Sequence, residues 1–152
     1  METLPYRPCV GIMLINADRQ IFTAERIDTP GAWQMPQGGI DEGESPLEAA
    51  QRELEEETSI PPHGVTLLKQ SKNWLTYDLP EHLVGTVWRG RYRGQKQQWF
   101  LMQLDINAEA IDLKTEHQEF SHWKWSSRQE LINDIVSFKK DLYEKVVTEL
   151  LE

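Results

Sequence analysis

The stretch GGIDEGESPLEAAQRELEEETSI, residues 38–60, decides how the rest of the chain is read. Its glycines at 38, 39 and 43 let backbone approach a ligand closely. Ser45 is a natural helix N-cap, Pro46 suits the first helical position, and Glu48 completes a capping box with Ser45. Beyond the cap, Leu47, Ala50 and Leu54 fall on one stripe, so that face is expected to be buried. Glu53, Glu56 and Glu57 stand at i, i+3 and i+4 and share an adjoining face. Glu55 points about 150° away from them. Two carboxylates about 5.5 Å apart repel by about 3 kcal/mol at an effective dielectric near 20. Arg52 is the only nearby base. Such a face asks for a cation, and an all-oxygen donor set suits Mg²⁺ or Mn²⁺. A glutamate run is ordinarily just a solvated helix face, and the longer spacing decides between the two readings.

Glu44 follows Gly38 after five residues, and Arg52-Glu53 come after seven more. Leu54, Glu56, Glu57 and Ile60 complete the pattern. This spacing resembles the Nudix box of the Nudix hydrolases, which cleave a nucleoside diphosphate linked to another group. Every acidic position of that pattern is filled. The usual final glycine is replaced by Ser59, so a different closure of the helix is expected there.

With 152 residues, 39% hydrophobic and 27% charged, residues 1–152 read as a single globular domain. The longest apolar run, Val10–Ile15 with Gly11 inside it, is far short of a membrane span. No basic-then-apolar leader precedes it, so a cytoplasmic protein without a membrane partner is expected. Cys9 is the only cysteine, which excludes an internal disulfide and a cysteine-based zinc site, and it reads as strand packing. A net charge of −9 argues against nucleic acid as a partner. The charge is unevenly spread, however. No acidic residue lies between His82 and Leu104, while Arg89, Arg91, Arg93 and Lys96 fall within eight positions. That segment is either a phosphate-facing patch or a solvated hairpin loop.

Val10–Ile15 and Ile21–Ile27 read as a hairpin around 16–19, carrying Arg7 and Arg26 as surface charges or phosphate contacts. Pro36 keeps Trp33–Pro36 extended. The Pro61-Pro62 pair stops the acidic helix. Val65–Lys69, Asn73–Leu79, Gln98–Asp105 and Glu119–Trp125 read as strands. Ser126 or Ser127 caps a helix from about Arg128, and a long final helix is expected over Ile135–Leu151. Strands, helix, strands and then two helices imply an α+β fold rather than an alternating parallel one.

The resemblance extends beyond the box. Tyr6-Arg7-Pro8 with Val10-Gly11-Ile12, then WQMPQGGI (33–40), NWLTYDLP (73–80), GQKQQWFL (94–101), EFSHWKW (119–125) and VSFKKDLY (136–143) look like the bacterial RNA pyrophosphohydrolase branch. That branch also includes (di)nucleoside polyphosphate hydrolases. The chain departs from it at Ser59 and at Ala32, where relatives often carry a hydroxyl residue.

The resemblance implies a Nudix-type α/β/α sandwich with a mixed β-sheet. It implies a metal site of Glu53, Glu56, Glu57 and Glu119, joined by Gly38 through its carbonyl, holding more than one Mg²⁺ or Mn²⁺. Glu53 would be the general base, Arg52 would orient a carboxylate and Glu44 would hold the loop. Arg7, Arg26, Gln95 and Lys139 would contact phosphates or the first nucleotides, with Tyr77 and Phe138 near the bases. Taken alone, Phe138 reads more often as core, and the matched SFKKDLY context is what places it near the bases. The implied activity is metal-dependent removal of pyrophosphate from 5′-triphosphorylated RNA, leaving a 5′-monophosphate end that promotes mRNA decay. A second reading makes diadenosine polyphosphates the main substrate. A third, a catalytically silent nucleotide-binding module, is opposed by the intact Glu53, Glu56, Glu57 and Glu119.

Overall fold

The computed structural model describes residues 4–151. At its centre β1 (Tyr6–Ile15) lies parallel to β7 (Gly94–Leu104), paired from Tyr6↔Gly94 to Ile15↔Gln103. β2 (Ile21–Arg26) pairs β1 antiparallel, and β3 (Trp33–Gln34) pairs β2. β4 (Gln37–Gly39) also pairs β1 antiparallel. β5 (Val65–Gln70) and β6 (Leu75–Asp78) both pair β7 antiparallel, and β8 (Phe120–Ser126) pairs β2 antiparallel. The result is one mixed, eight-stranded sheet.

Period-two alternation sends each strand's side chains to opposite faces. Val10, Ile12 and Leu14 of β1 join Phe100 and Met102 of β7 beneath α1 (Pro46–Thr58). Met13 and Ile15 join Trp99 and Leu101 beneath α2 (Arg128–Asp134) and α3 (Lys140–Leu151). The expected α/β/α sandwich is therefore realised, with a core on each face of the sheet. Each fully buried aliphatic side chain is worth about 1.5–3 kcal/mol. Position 11 must be glycine because a Cβ there would meet the Trp99 indole, its partner across the ladder, at 2.5 Å.

α1 forms as its sequence dictates. The Glu48 N–H donates to Ser45 Oγ at 3.2 Å, and the Ser45 N–H donates to Glu48 Oε1 at 3.1 Å. Ala49, Ala50 and Leu54 are buried and Leu47 is half-buried. The different closure expected at Ser59 is corrected, because this residue ends the helix in the same left-handed conformation, φ 68°, that glycine usually takes. Its N–H donates to Glu55 O at 2.9 Å and its Oγ to Asp112 O at 2.8 Å. The hydroxyl bond offsets the cost of a side chain there, about 1–2 kcal/mol. Ser59→Ala keeps the strain and loses the bond, so it is expected to destabilise by about 1 kcal/mol. Ser59→Gly trades one for the other and stays within about 0.5 kcal/mol of the parent in urea titrations.

Two further expectations are corrected. The final helix begins at Lys140, not Ile135, because Ile135 (ψ 150°) and Val136 (ψ 142°) are extended. β-branched side chains favour that conformation. A single 3₁₀ turn, Ser137–Lys139, follows, and it takes Phe138 and Lys139 off the helix face. The basic segment is also not one patch. Arg93 donates to Asp78 at 3.0 Å and stacks over the Tyr6 ring at 4.8 Å, while the Lys96 ammonium sits 5.0 Å over Trp74.

Candidate active site

β4 runs beside β1 with Val10 opposite Gly38, and α1 crosses above it. A Cβ at 38 would overlap the Glu53 carboxyl, so only glycine lets the helix lay that group on the strand. The Glu53 side chain is 14% exposed, and burial pushes its carboxyl up to about 7, with Arg52 opposing and Glu56 and Glu119 adding. Glu57 is 4% exposed, and neither of its carboxylate oxygens has a hydrogen bond among the described residues. Burial raises it well above the usual carboxylate range, then the charges of Glu119 and Glu53, offset in part by the nearby Gln37 backbone amide. Glu119 immediately precedes β8 and is raised by burial, with Arg26 opposing. Glu55 and Glu56 are both exposed, Glu56 reaching back to Arg52.

Arg52 ties this end of α1 to the loop before it. Its Nε donates to Glu44 Oε2 at 2.8 Å and its Nη2 to Glu44 Oε1 and Gly39 O at 2.9 Å. Its Nη1 donates to Glu53 Oε1 at 2.9 Å and Glu56 Oε2 at 3.1 Å. Glu44 also accepts from the Asp41 N–H at 3.0 Å, and Arg52 holds it below the usual range. The two-pronged pairing gives a geometric clamp that a lysine lacks.

Among the described residues, no three Asp, Glu, His or Cys side chains converge as a ready ligand set, and Arg52 bridges Glu53 and Glu56 instead. The orphaned Glu57 oxygens and an all-oxygen donor set nonetheless fit a hard divalent cation.

A cavity of about 500 Å³ opens beside Gly38, Glu53 and Glu119. Arg7, Arg26, Tyr77, Gln95, Phe138 and Lys139, drawn from across the chain, all line it. Glu44, Arg52, Glu56 and Glu57 lie outside its lining. Arg7 passes against Gly39, where a Cβ would stand 2.7 Å from its Nη2, and reaches 5.7 Å from the Trp88 ring. Arg26 is held bidentately by Asp28 at 2.8 and 2.6 Å. Trp99 Nε1 donates to Gln97 Oε1 at 2.8 Å, and Gln97 Nε2 donates to Gln95 Oε1 at 2.6 Å, so a buried relay orients Gln95. Tyr77 and Phe138 meet with ring centres 5.8 Å apart. Lys139 is 3% exposed with its ammonium 5.2 Å from the Tyr77 ring, and burial then Arg26 lower it to about 8. Cys9 is buried in β1 and burial raises its thiol to about 11, which rules it out as a nucleophile at neutral pH.

Sequence reasoning missed Leu83, Val87, Trp88 and Val136, which also line the cavity. The available signal was an apolar pair between Gly85 and Gly90 inside the acid-free segment. Trp88 (φ 52°, ψ 40°) and Arg89 (φ 59°, ψ 25°) are both left-handed. Each such residue costs about 1–3 kcal/mol.

The fold and this acidic helix over a glycine strand define a NUDIX domain, whose family model matches residues 5–146. The chain belongs to the NUDIX family. It is similar to an RNA pyrophosphohydrolase of Cereibacter sphaeroides, 56% identical over 146 residues, covering 95% of this chain and 90% of the relative. It is also similar to one from Rhodospirillum rubrum, 52% identical over 147 residues, covering 97% and 88%. Among solved structures, the E. coli dihydroneopterin triphosphate pyrophosphohydrolase superposes with a TM-score of 0.72 at 21% identity, covering 95% of this chain and 98% of that one. A C. elegans Ap4A hydrolase gives 0.70 at 20% identity over the same shares. At those identities the two structures speak for the fold. Nudix hydrolases generally need divalent metal ions. Among the described residues no helix is long and apolar enough to cross a membrane.

Proposed function

We propose that residues 1–152 act as one cytoplasmic Nudix domain that removes pyrophosphate from 5′-triphosphorylated RNA. The observation that carries this reading is the single cavity in which Arg7, Arg26, Gln95 and Lys139 face Glu53 and Glu119. Four cationic or polar groups, three from strands and Lys139 from the 3₁₀ turn before α3, suit an anionic polyphosphate, and Tyr77 with Phe138 suits the bases beside it. The relatives named RNA pyrophosphohydrolase support the same substrate.

In this reading Glu53, Glu56, Glu57 and Glu119, with the Gly38 carbonyl, hold more than one Mg²⁺ or Mn²⁺. Bound there, the cations supply charge neutralisation along the phosphate chain and a more acidic water. Arg7, Arg26, Gln95 and Lys139 fix the triphosphate. A water oxygen bonds to phosphorus, an anhydride bond breaks and pyrophosphate leaves. Glu53, held by Arg52, takes the water's proton. Glu44 keeps Arg52 in place.

The test compares a short 5′-triphosphate RNA, GTP and diadenosine tetraphosphate at equal metal concentration. The RNA is expected to give pyrophosphate, or phosphate in two steps, and a 5′-monophosphate end. Its kcat/KM is expected to be the highest, since further nucleotides contribute binding energy that mononucleotides lack. A tenfold or greater advantage for diadenosine tetraphosphate would replace this reading with the dinucleotide one.

A further inference from the structure

Resting on that reading, we propose that Trp88 is a second nucleobase platform that selects substrates carrying more than one base. Trp88 lines the same cavity as Glu53 and Arg7. Its indole meets Tyr92 edge-on at 6.2 Å on one side and the Arg7 guanidinium at 5.7 Å. Unlike Trp99, which is fully buried in the core, Trp88 stays half-exposed at the cavity. Its packing against the core beneath α2 and α3 covers only part of it.

Its backbone sharpens the point. A bulky residue in the left-handed region is an outlier, and such strain gathers at ligand clamps. The segment is closed on itself rather than slack. A Cβ on Gly90 would meet Gly85 O at 2.9 Å, and the Arg91 N–H donates to Trp88 O at 3.2 Å. The left-handed turn is thus built in, and it brings the indole to the cavity beside Leu83 and Val87.

The cavity already has one aromatic wall, the Tyr77–Phe138 pair with Lys139. A ligand with a single base needs only one such wall. A flat, sequence-tolerant ring beside a cation is the recurrent way to hold an unpaired base. Arg7 lines the same cavity 5.7 Å from the Trp88 ring, so base stacking on Trp88 and anchoring of the phosphate chain would share one side chain.

The test uses the full chain with Trp88→Gly, which removes the ring and suits the left-handed backbone, and Trp88→Phe, which keeps a ring. Trp88→Gly is expected to melt within about 3 °C of the parent, as relieved strain offsets lost packing. With a 5′-triphosphate dinucleotide its KM is expected to rise about tenfold while kcat stays within about threefold. Its KM for GTP is expected to hold, and Trp88→Phe to recover most of the loss. Independently of turnover, the dinucleotide in EDTA is expected to quench tryptophan fluorescence of the parent and not of Trp88→Phe. Equal KM changes for GTP and dinucleotide, or no change for either, would overturn the platform, as would unchanged quenching in Trp88→Phe. If the parent cleaves no RNA yet the dinucleotide quench depends on Trp88, the platform stands and the pyrophosphohydrolase reading falls. If RNA is cleaved equally well by Trp88→Gly, the reverse holds.

Discussion

In EDTA, Glu57→Gln is expected to melt above the parent protein, and with Mg²⁺ restored to cleave 5′-triphosphate RNA at least about 10²-fold more slowly. The two effects have one cause. Glu57 is buried with both carboxylate oxygens lacking hydrogen bonds among the described residues, a costly state for a charge that neither proton nor cation neutralises. Because its folded pKa is raised, the stability it contributes is whole below its ordinary 4.5 and is lost as pH rises through the folded value. Glutamine suffers no such loss, so the two melting curves should run together below 4.5, diverge as pH rises toward the folded value and stay apart above it. Mg²⁺ is expected to raise the melting temperature of the parent and leave Glu57→Gln nearly unmoved. Glu53→Gln and Glu56→Gln are expected to lose at least about 10²-fold in rate as well, whereas Glu55→Gln, on the exposed face, stays within a few-fold. Equal losses at all four positions would show that the helix face is misassigned.

Lys139→Met is expected to stabilise the protein by about 2 kcal/mol at neutral pH while cutting kcat/KM on triphosphate RNA about tenfold. Lys139 is almost fully buried, and among the described residues no carboxylate pairs with it. Burial and Arg26 lower it from 10.5 to about 8, a shift worth about 3 kcal/mol against the charged form. The cation–π contact with Tyr77 returns about 1 kcal/mol of that. For a depressed lysine the penalty is fully present below about 8 and fades as pH rises toward 10.5. The advantage of Lys139→Met should therefore be largest below pH 8 and shrink above it, measured by urea unfolding at several pH values. On GTP, which carries the same triphosphate, the loss of activity should be similar. A variant that loses stability, or that leaves RNA cleavage untouched, would remove Lys139 from the phosphate-binding set.

The acidic helix was legible because everything that makes it is local. The capping box, the buried stripe and the glutamate face all act within four residues, so spacing alone yields them. The closure at Ser59 was not legible, since its hydroxyl finds Asp112 O across the fold. The start of α3 was misplaced because Ile135 and Val136 satisfy a helical apolar pattern while sitting extended. Composition left Arg93 and Lys96 as either phosphate-facing or solvated, and only the fold shows that Asp78 and Trp74 engage them. Arg7, Arg26, Gln95 and Lys139 carry no shared local signal. They were named only through resemblance to a family, and they meet because the sheet pairs the strands of Arg7, Arg26 and Gln95 while the turn before α3 brings Lys139 to the same cavity.

The parallel ladder between β1 and β7 sets Arg7 beside Gln95, from opposite halves of the chain. A slip of one residue would turn both side chains to the far face of the sheet. Pairings between distant segments are also the slowest to form. During synthesis, then, the acidic helix can fold early, while the groove that gives it something to cut waits for the later strands. A chain still emerging from the ribosome, surrounded by RNA, holds Arg7 and the acidic helix but not yet Gln95, Glu119 or Lys139.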